Sequence, residues 1–489
     1  MHYSSREARA PVLDRLSAAL SAPWPVAAIV VAVTLARIGF LMTEAVPPLT
    51  PTEAELWVMG RDPHPAWPGP GPLGPWLLGL LNWSCGAEAS CLRLLGPLAQ
   101  GLATWCVYQL GCSLFDRRTG FWCMMVHATL PVVFHDSVHI DAIALLAPPW
   151  ALALLALGRT MSVEQHLTDW VALGVGIGVG VLIHPVMLVF IPLALLFLLF
   201  SETAPRLPWR PGPYVALLTA LACAWPDIMW NAAHGWSGYE ALLLALQDVT
   251  VPQAGIAAAL GWQLGLAAVL LGPILALVAG WLTLRLPLEV ARRTFRDFRA
   301  RLLMLFSIPV LAMALAAALA GNDLATLIAP AVPALVVLVT AWLCVRDRMG
   351  WVRAMVGVNV LLIALVWRGP GLAQDAGWVV PSWLNAENSG LAWTAVGPWL
   401  ESVAEAYPDH PLGVAGDDAA LLSYHAETRG LHPRVVGSGS DSVGAFSGIL
   451  VIPAALADAG GDIRARLSVT LPGGERREWA VVKVEQDTP

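Results

Sequence analysis

Lysine is nearly absent from this 489-residue chain: Lys483 is the only one, and arginine carries all the other fixed positive charge. Charge of either sign is scarce, at 13% of residues against roughly 25% in an average soluble protein, while hydrophobic residues reach 57%. Mean hydropathy is +0.65. So few charges cannot cover the surface of a soluble domain, which excludes a soluble enzyme. Basic groups number 28 against 35 acids, for a net charge of −7. That removes the electrostatic footprint of a nucleic-acid binder, so no nucleic acid is expected as partner. A phosphate-binding loop and a dinucleotide fingerprint are also missing, so no nucleotide site is apparent. No cleavable signal peptide is evident. The first apolar run starts near Pro23, and Ser4–Leu20, with Arg6, Arg9 and Arg15, reads as a surface-lying amphipathic helix.

Apolar runs of the length a bilayer demands, ~20 residues, are what the chain has in quantity. Eleven candidates run over 24–42, 91–114, 119–135, 140–158, 168–183, 185–201, 211–230, 257–283, 301–320, 326–344 and 350–367. The run 73–84 is too short to span and reads as an interfacial or re-entrant helix. Trp is abundant at 23, as suits many membrane–water boundaries. If the eleven spans alternate, 17 arginines fall on one side, in blocks such as Arg117–Arg118 and Arg285 to Arg301, and only Arg61, Arg93 and Arg368 lie near the loops of the other. The positive-inside rule then puts the N-terminus in the cytoplasm and the tail outside. Residues 1–367 hold 20 basic and 20 acidic side chains, whereas 368–489 hold 8 and 15. The expected division is a transmembrane body, 1–367, and an outer soluble domain, 368–489. The tail alternates short apolar runs with Gly and Pro turns, which fits a small α/β or α+β domain. The fold class expected is an all-α polytopic membrane protein of about 11 transmembrane helices with that small domain attached.

Acids concentrate on the outer side, including Glu53, Glu55, Asp136, Asp141 and Asp227. In the loop 43–90, LTPTEAELW places Glu53 and Glu55 just beyond the first span. A carboxylate near an apolar mouth has its pKa raised by desolvation, which suits a general base. Thr52 with Glu55 three residues on equally reads as a capping box. The following HPAWPGPGPLGPW denies regular structure and sets a stiff irregular path. In the short loop His135-Asp136-Ser137-Val138-His139-Ile140-Asp141, the side chains His135, His139 and Asp141 include metal-ligand types, but the spacing matches no zinc motif. No cofactor is therefore expected, a divalent ion here being the remaining option, with Asp141 as a helix-opening acid the structural reading. His184 could hold an anion when protonated. His234, Trp236 and Tyr239 in NAAHGWSGYE are belt anchors or a surface for sugars. Cys106, Cys112, Cys123, Cys223 and Cys344 fall in spans and read as inert core residues. Cys85 and Cys91 share the outer side, six residues apart, where a disulfide is permitted.

Three stretches resemble the bacterial type C glycosyltransferases, the superfamily that includes lipid A aminoarabinose transferase and protein O-mannosyltransferase. LTPTEAELW (49–57) is similar to its L-x-P-D-E-A-x-Y-W signature. HIDAIALLAPPWALALLALGR (139–159) is similar to its T-P-D-A-x-L-L-x-x-W helix, and 210–243 to its P-G-P…P-x-x-x-W-N-x-x-H-G-W block. The tail segment 398–427 fits its outer domain. The resemblance implies a multi-pass protein of the bacterial inner membrane with a periplasmic C-terminal domain. It implies transfer of a sugar from a polyprenyl-phosphate carrier to a lipid, glycan or protein acceptor such as lipopolysaccharide. A first-loop carboxylate would deprotonate the acceptor, and basic groups would steady the leaving phosphate. Carried onto this chain, the catalytic candidates are Glu53 and Asp141. Glu55, Arg61, His139, His184, His234 and Trp236 are candidates for binding substrate. Four departures stand out. Thr52 replaces the family's Asp, Gly69-Pro70-Gly71-Pro72 replaces its D-H-P-P, His184 replaces a Lys, and Glu55 replaces an aromatic residue. A non-catalytic relative that binds polyprenyl lipid or glycan is therefore the alternative. A transporter is a third reading, opposed by the lack of an evident acid partner for the mid-span Arg37.

Overall fold

The computed structural model describes residues 21–43, 48–67, 69–161, 166–201, 209–240, 255–285, 297–321, 324–375, 395–436, 446–457, 463–470 and 476–484. The amphipathic helix expected over 4–20 lies outside the described residues. The chain is mostly helical, as lipid requires: with no water to satisfy backbone N–H and C=O groups, a helix satisfies them internally. Four described helices are long and apolar enough to cross a membrane: Pro23–Met42, Pro211–Ala233, Phe298–Leu319 and Met349–Arg368. Ala144–Arg159, Leu167–Ile183, Pro185–Leu199, Ile256–Leu270, Pro273–Leu284 and Ala329–Val345 are shorter apolar helices. The expectation of eleven uninterrupted spans is thus met only in part, and proline and glycine are the cause. The run 119–135 divides into Arg117–Ala128 and Pro131–Val138 at Pro131. The run 257–283 divides at Gly272, whose φ of 75° breaks the helix.

Two compact units emerge. The first comprises Met1–Phe40, His64–Gly74 and Leu94–Ala364, and the second Leu41–Pro63, Pro75–Arg93 and Leu365–Pro489. In the first unit the glycines of the Leu167–Ile183 helix let neighbours approach to backbone contact. A Cβ on Gly178 would stand 2.5 Å from the Ala220 carbonyl oxygen of the Pro211–Ala233 helix, and one on Gly176 would meet Ala153 at 2.9 Å. Gly174 and Gly178, four residues apart, both meet the Pro211–Ala233 helix, the packing device expected where lipid removes the hydrophobic drive between helices. Arg37 is buried here, donating from Nη2 to the Ala128 carbonyl at 2.6 Å, and the Asp136 carboxylate is the acid that acts on it. The mid-span arginine is therefore held by a backbone carbonyl, with an acid among the charges that act on it.

The second unit groups two parts of the first outer loop, Leu41–Pro63 and Pro75–Arg93, with the tail, while His64–Gly74 stays with the first unit. Helices Pro51–Arg61 and Leu73–Cys85 meet through Gly60 and Gly79, where a Cβ on Gly60 would stand 2.5 Å from the Pro75 carbonyl oxygen. Trp57 crosses this junction, donating from Nε1 to Asn82 Oδ1 at 2.8 Å. On its other side Trp57 meets Tyr424 edge to face at 5.6 Å. The tail carries a five-stranded sheet in the order β2-β1-β3-β5-β4, from β1 (Leu412–Val414), β2 (Arg434–Val435), β3 (Gly448–Pro453), β4 (Ile463–Thr470) and β5 (Arg476–Val484). β1 runs parallel to β2 and β3, and β5 antiparallel to β3 and β4. Phe446, Leu450, Ile452, Ala480 and Val482 form its core. This is the small mixed domain expected of the tail.

His425, on the buried helix Ala419–Glu427, makes the tail sensitive to acid. Burial pushes its imidazole down to about 4, against about 6.5 in an unfolded chain. The folded value is the lower one, so the stabilisation is fully present above pH ~6.5 and is lost as pH falls through ~4. Amide exchange at 419–427 in the full chain, corrected for intrinsic rates, should accelerate between those two values. His425→Leu should remove that acceleration.

Candidate active site

The first-loop helix begins at Pro51, whose fixed φ suits the first helical position. Thr50 is therefore the cap, and the capping box pairs Thr50 with Glu53 rather than Thr52 with Glu55. The Glu53 amide donates to Thr50 Oγ1 at 3.4 Å, and the Thr50 amide donates back to Glu53 Oε2 at 2.8 Å. Glu53 is also the acid of a buried ion pair. Arg93 donates from Nε to Oε1 at 2.8 Å and from Nη2 to Oε2 at 2.6 Å, and both side chains are 1% accessible. Arg93 Nη2 donates further to the Pro48 carbonyl at 3.2 Å. Sequence reasoning counted Arg93 among the few outer arginines but did not pair it. The signal was there, since an acid expected to be buried needs one of only three outer cations.

Cys85 and Cys91 form the permitted disulfide. It closes the turn between the Leu73–Cys85 and Ala89–Leu92 helices, two residues before Arg93. Glu55 points the other way, onto the exposed face of the Pro51–Arg61 helix. Desolvation and, after it, the Asp417 carboxylate raise its pKa above the ordinary value. Arg61, expected to contact a phosphate, instead pairs with Glu427 at 2.8 Å, donates to Ser423 Oγ at 3.3 Å and stacks over Trp57 at 5.1 Å. One short helix thus carries a locked acid, an accessible acid of raised pKa and a cation tied to the tail.

The other candidates belong to the first unit. His135 and His139 stack with ring centroids 4.5 Å apart, and His135 Nδ1 lies 3.2 Å from Asp136 Oδ1. Asp141 Oδ1 accepts from the amides of Ile143 at 2.7 Å and Ala144 at 3.3 Å, the work of a turn-capping acid. No cluster of three or more His, Cys, Asp or Glu able to hold a metal occurs among the described residues. His184 Nδ1 accepts from the Val186 amide at 3.2 Å, so that nitrogen carries no proton and the ring is neutral. In this arrangement it offers a phosphate one N–H donor from Nε2, not the positive charge of the lysine it replaces. At the position of the missing D-H-P-P, the Gly71 amide donates to the Ile183 carbonyl at 2.9 Å. A Cβ on Gly71 would overlap the Leu182 carbonyl, so the stretch docks by its backbone. His234 stacks on Trp230 at 4.2 Å, its Nδ1 lying 2.8 Å from the Trp230 carbonyl oxygen, and Trp236 stands half exposed beyond it. Glu53, Glu55 and Arg61 therefore share one unit, and His139, Asp141, His184, His234 and Trp236 the other.

Removing one partner of a buried ion pair strands the other charge, at a cost of about 3–5 kcal/mol. Arg93→Ala and Glu53→Leu should each lower the thermal stability of the purified protein strongly. The double variant Glu53→Leu/Arg93→Met should recover most of the loss. Equal, additive losses in thermal denaturation would mean that the pair does not couple.

Residues 64–230 match the family of dolichyl-phosphate-mannose-protein mannosyltransferases. That stretch contains the motif at 139–159 and most of the block at 210–243. The signature at 49–57 lies outside it. Among solved structures, ArnT from Cupriavidus metallidurans in the apo state is similar, with a TM-score of 0.61 at 14% identity over 93% of this chain and 97% of that one. The same protein bound to undecaprenyl phosphate is similar with a TM-score of 0.60, again at 14% identity and the same coverage. No curated protein sequence matches the chain. The chain is thus an integral membrane protein with the fold of ArnT, and the family match covers two of the three stretches that carried the resemblance, 139–159 in full and 210–243 in part.

Proposed function

We propose that the protein transfers a sugar from a polyprenyl-phosphate donor to an envelope glycan, lipid or protein acceptor at the outer face of the bacterial inner membrane. The observation that carries this reading is the likeness to ArnT along nearly the whole of both chains, in its apo and undecaprenyl-phosphate-bound forms. The arginine asymmetry supports a cytoplasmic N-terminus and a periplasmic tail. In the reaction a carboxylate takes the proton of the acceptor hydroxyl. The oxygen attacks the anomeric carbon from the face opposite the phosphate. The bond from that carbon to the phosphate oxygen breaks, and the lipid phosphate leaves with the electron pair.

Glu53, the acid at the family's position, would have to surrender both Arg93 contacts to act as base. We assign it instead to anchoring the helix, with Arg93, and assign the base to Glu55, the accessible carboxylate two residues on. A raised pKa moves a carboxylate toward the operating pH, where a general base is most effective. Asp141 is kept as the second acid on its motif position. Arg61, once released from Glu427, is the cation nearest in sequence for the leaving phosphate.

Two results test this. Purified protein in lipid should transfer labelled sugar from a polyprenyl-phosphate donor to an outer-face acceptor, whereas carrier-lipid binding without turnover would favour the non-catalytic alternative that Thr52 supports. Because Glu55 must be deprotonated to work, the rate should rise with pH through an apparent pKa above ~4.3, the ordinary glutamate value. Glu55→Gln should lower kcat by about 100-fold or more. Retention of full activity in that variant would return the role of base to Glu53 or Asp141.

A further inference from the structure

The chain leaves the Pro211–Ala233 helix through a turn that places a large side chain where glycine belongs. Gly235 has φ 67° and Trp236 φ 64°, and Trp236 is one of only two non-glycine residues with positive φ among the described residues. A bulky residue in that region is strained and persists only where its surroundings over-determine it. The surroundings here are a closed set of buried polar contacts. The Asp227 carboxylate accepts from the Tyr239 hydroxyl and from Asn231 Nδ2, the latter at 3.2 Å. Asn231 Oδ1 accepts from the Gly238 amide at 3.1 Å, and the Asn231 carbonyl accepts from the Trp236 amide at 2.8 Å. Asn231 thus grips the turn on both sides of Trp236, and Asp227 holds Asn231.

The product of this clamp is an indole ring 50% exposed, 5.9 Å from the Tyr239 ring. Backing it is the 64–67 stretch of the same unit, since a Cβ on Gly238 would stand 3.2 Å from the Trp67 carbonyl oxygen. His64 packs edge-on against Trp67 at 4.9 Å, and the buried Trp67 indole N–H has no acceptor among the described residues. A membrane-belt tryptophan needs none of this. Trp24 and Trp209 sit on ordinary backbone and are 78% and 88% exposed. Backbone strain and two buried polar side chains are instead spent on fixing the orientation of one ring.

We infer that Trp236 is a stacking platform for the sugar ring of the lipid-linked donor, with Asp227 and Asn231 as positioning residues that hold it. The inference rests on the proposed transferase reading. The apolar C–H face of a pyranose lies against the indole face, while its hydroxyls stay directed to polar groups and water. The contribution is to the sugar and not to the lipid phosphate, and that separates it from the anchoring of the whole chain.

The test compares binding of undecaprenyl phosphate, undecaprenyl-phosphate mannose and undecaprenyl-phosphate glucose to the full chain in nanodiscs. Wild-type protein should bind at least one sugar-bearing lipid more tightly than the bare carrier. Trp236→Gly relieves the backbone strain while deleting the ring, so it should fold and bind bare carrier as before. Its sugar-dependent gain should fall about five- to tenfold. Trp236→Phe should keep most of the gain, and Asn231→Ala should lose it in part. A sugar-dependent gain that survives in Trp236→Gly overturns the platform, as does a wild-type chain that binds bare carrier but gains nothing from either sugar. Failure to bind any of the three lipids counts against the transferase reading itself.

Discussion

A carboxylate and a guanidinium buried together govern what the first outer loop can do. Either ion alone, away from water, would cost several kcal/mol, and only close pairing with further hydrogen bonds offsets that. Glu53 and Arg93 meet this condition with two parallel bonds, to which the Thr50 amide adds a bond to Glu53 and the Pro48 carbonyl one to Arg93. The pair therefore sets the start of the Pro51–Arg61 helix and its roll at once. The roll places Trp57 between Asn82 and Tyr424, and Arg61 against Glu427 and Ser423. It leaves Glu55 on the accessible face. The disulfide two residues before Arg93 ties down the cationic half of the pair, so the covalent and ionic constraints meet on one short stretch.

This arrangement recasts the sequence departures in the same loop. The family's adjacent acids become Thr52 and Glu53, and the retained acid is the one facing inward. To take a proton, Glu53 would have to give up its bonds from Arg93. Position 55, aromatic in the family, has instead gained an acid. Loss at 52 and gain at 55 are one turn apart on a helix, close enough to share a face. On the helix, Thr52 and Glu55 are both exposed, while Glu53 between them is buried.

Patterns that depend on solvent were legible in the sequence. Scarcity of charge, apolar run length and the outer position of the two cysteines follow from water, lipid and redox compartment, and the helical body, the small tail domain and the disulfide are all present. Features set by long-range contact were not legible. Glu53 and Arg93 are 40 residues apart, and Arg61 and Ser423 are 362 apart. No local period announces such partners. The capping box was misplaced by two residues because Thr52 and Thr50 both offer a hydroxyl three residues before a glutamate, and only Pro51 at the first helical position decides between them. Span counting failed in part for a similar reason. Hydropathy windows average over Pro131 and Gly272, whereas the backbone does not.

Buried polarity in the first unit follows the same economy as the outer pair. Thr104 gives its one hydroxyl proton to the Gln100 carbonyl at 2.6 Å, so the 3.0 Å contact with His127 Nδ1 requires the imidazole to be the donor. Arg37 donates to the Ala128 carbonyl, so its guanidinium is hydrogen-bonded within the helical body. A buried arginine is also what a transporter would need, so Arg37 does not discriminate by itself. The discriminating fact is where polar groups are bound and where they are left accessible. Arg37, Asp136, Glu53 and Arg93 are nearly sealed, while Glu55 and the Trp236 ring are presented outward from rigid supports. A transport path needs ionisable groups accessible in turn along its length. In each unit by itself the same division holds: Glu55 in the second and the Trp236 ring in the first are accessible groups held in place by buried polar neighbours.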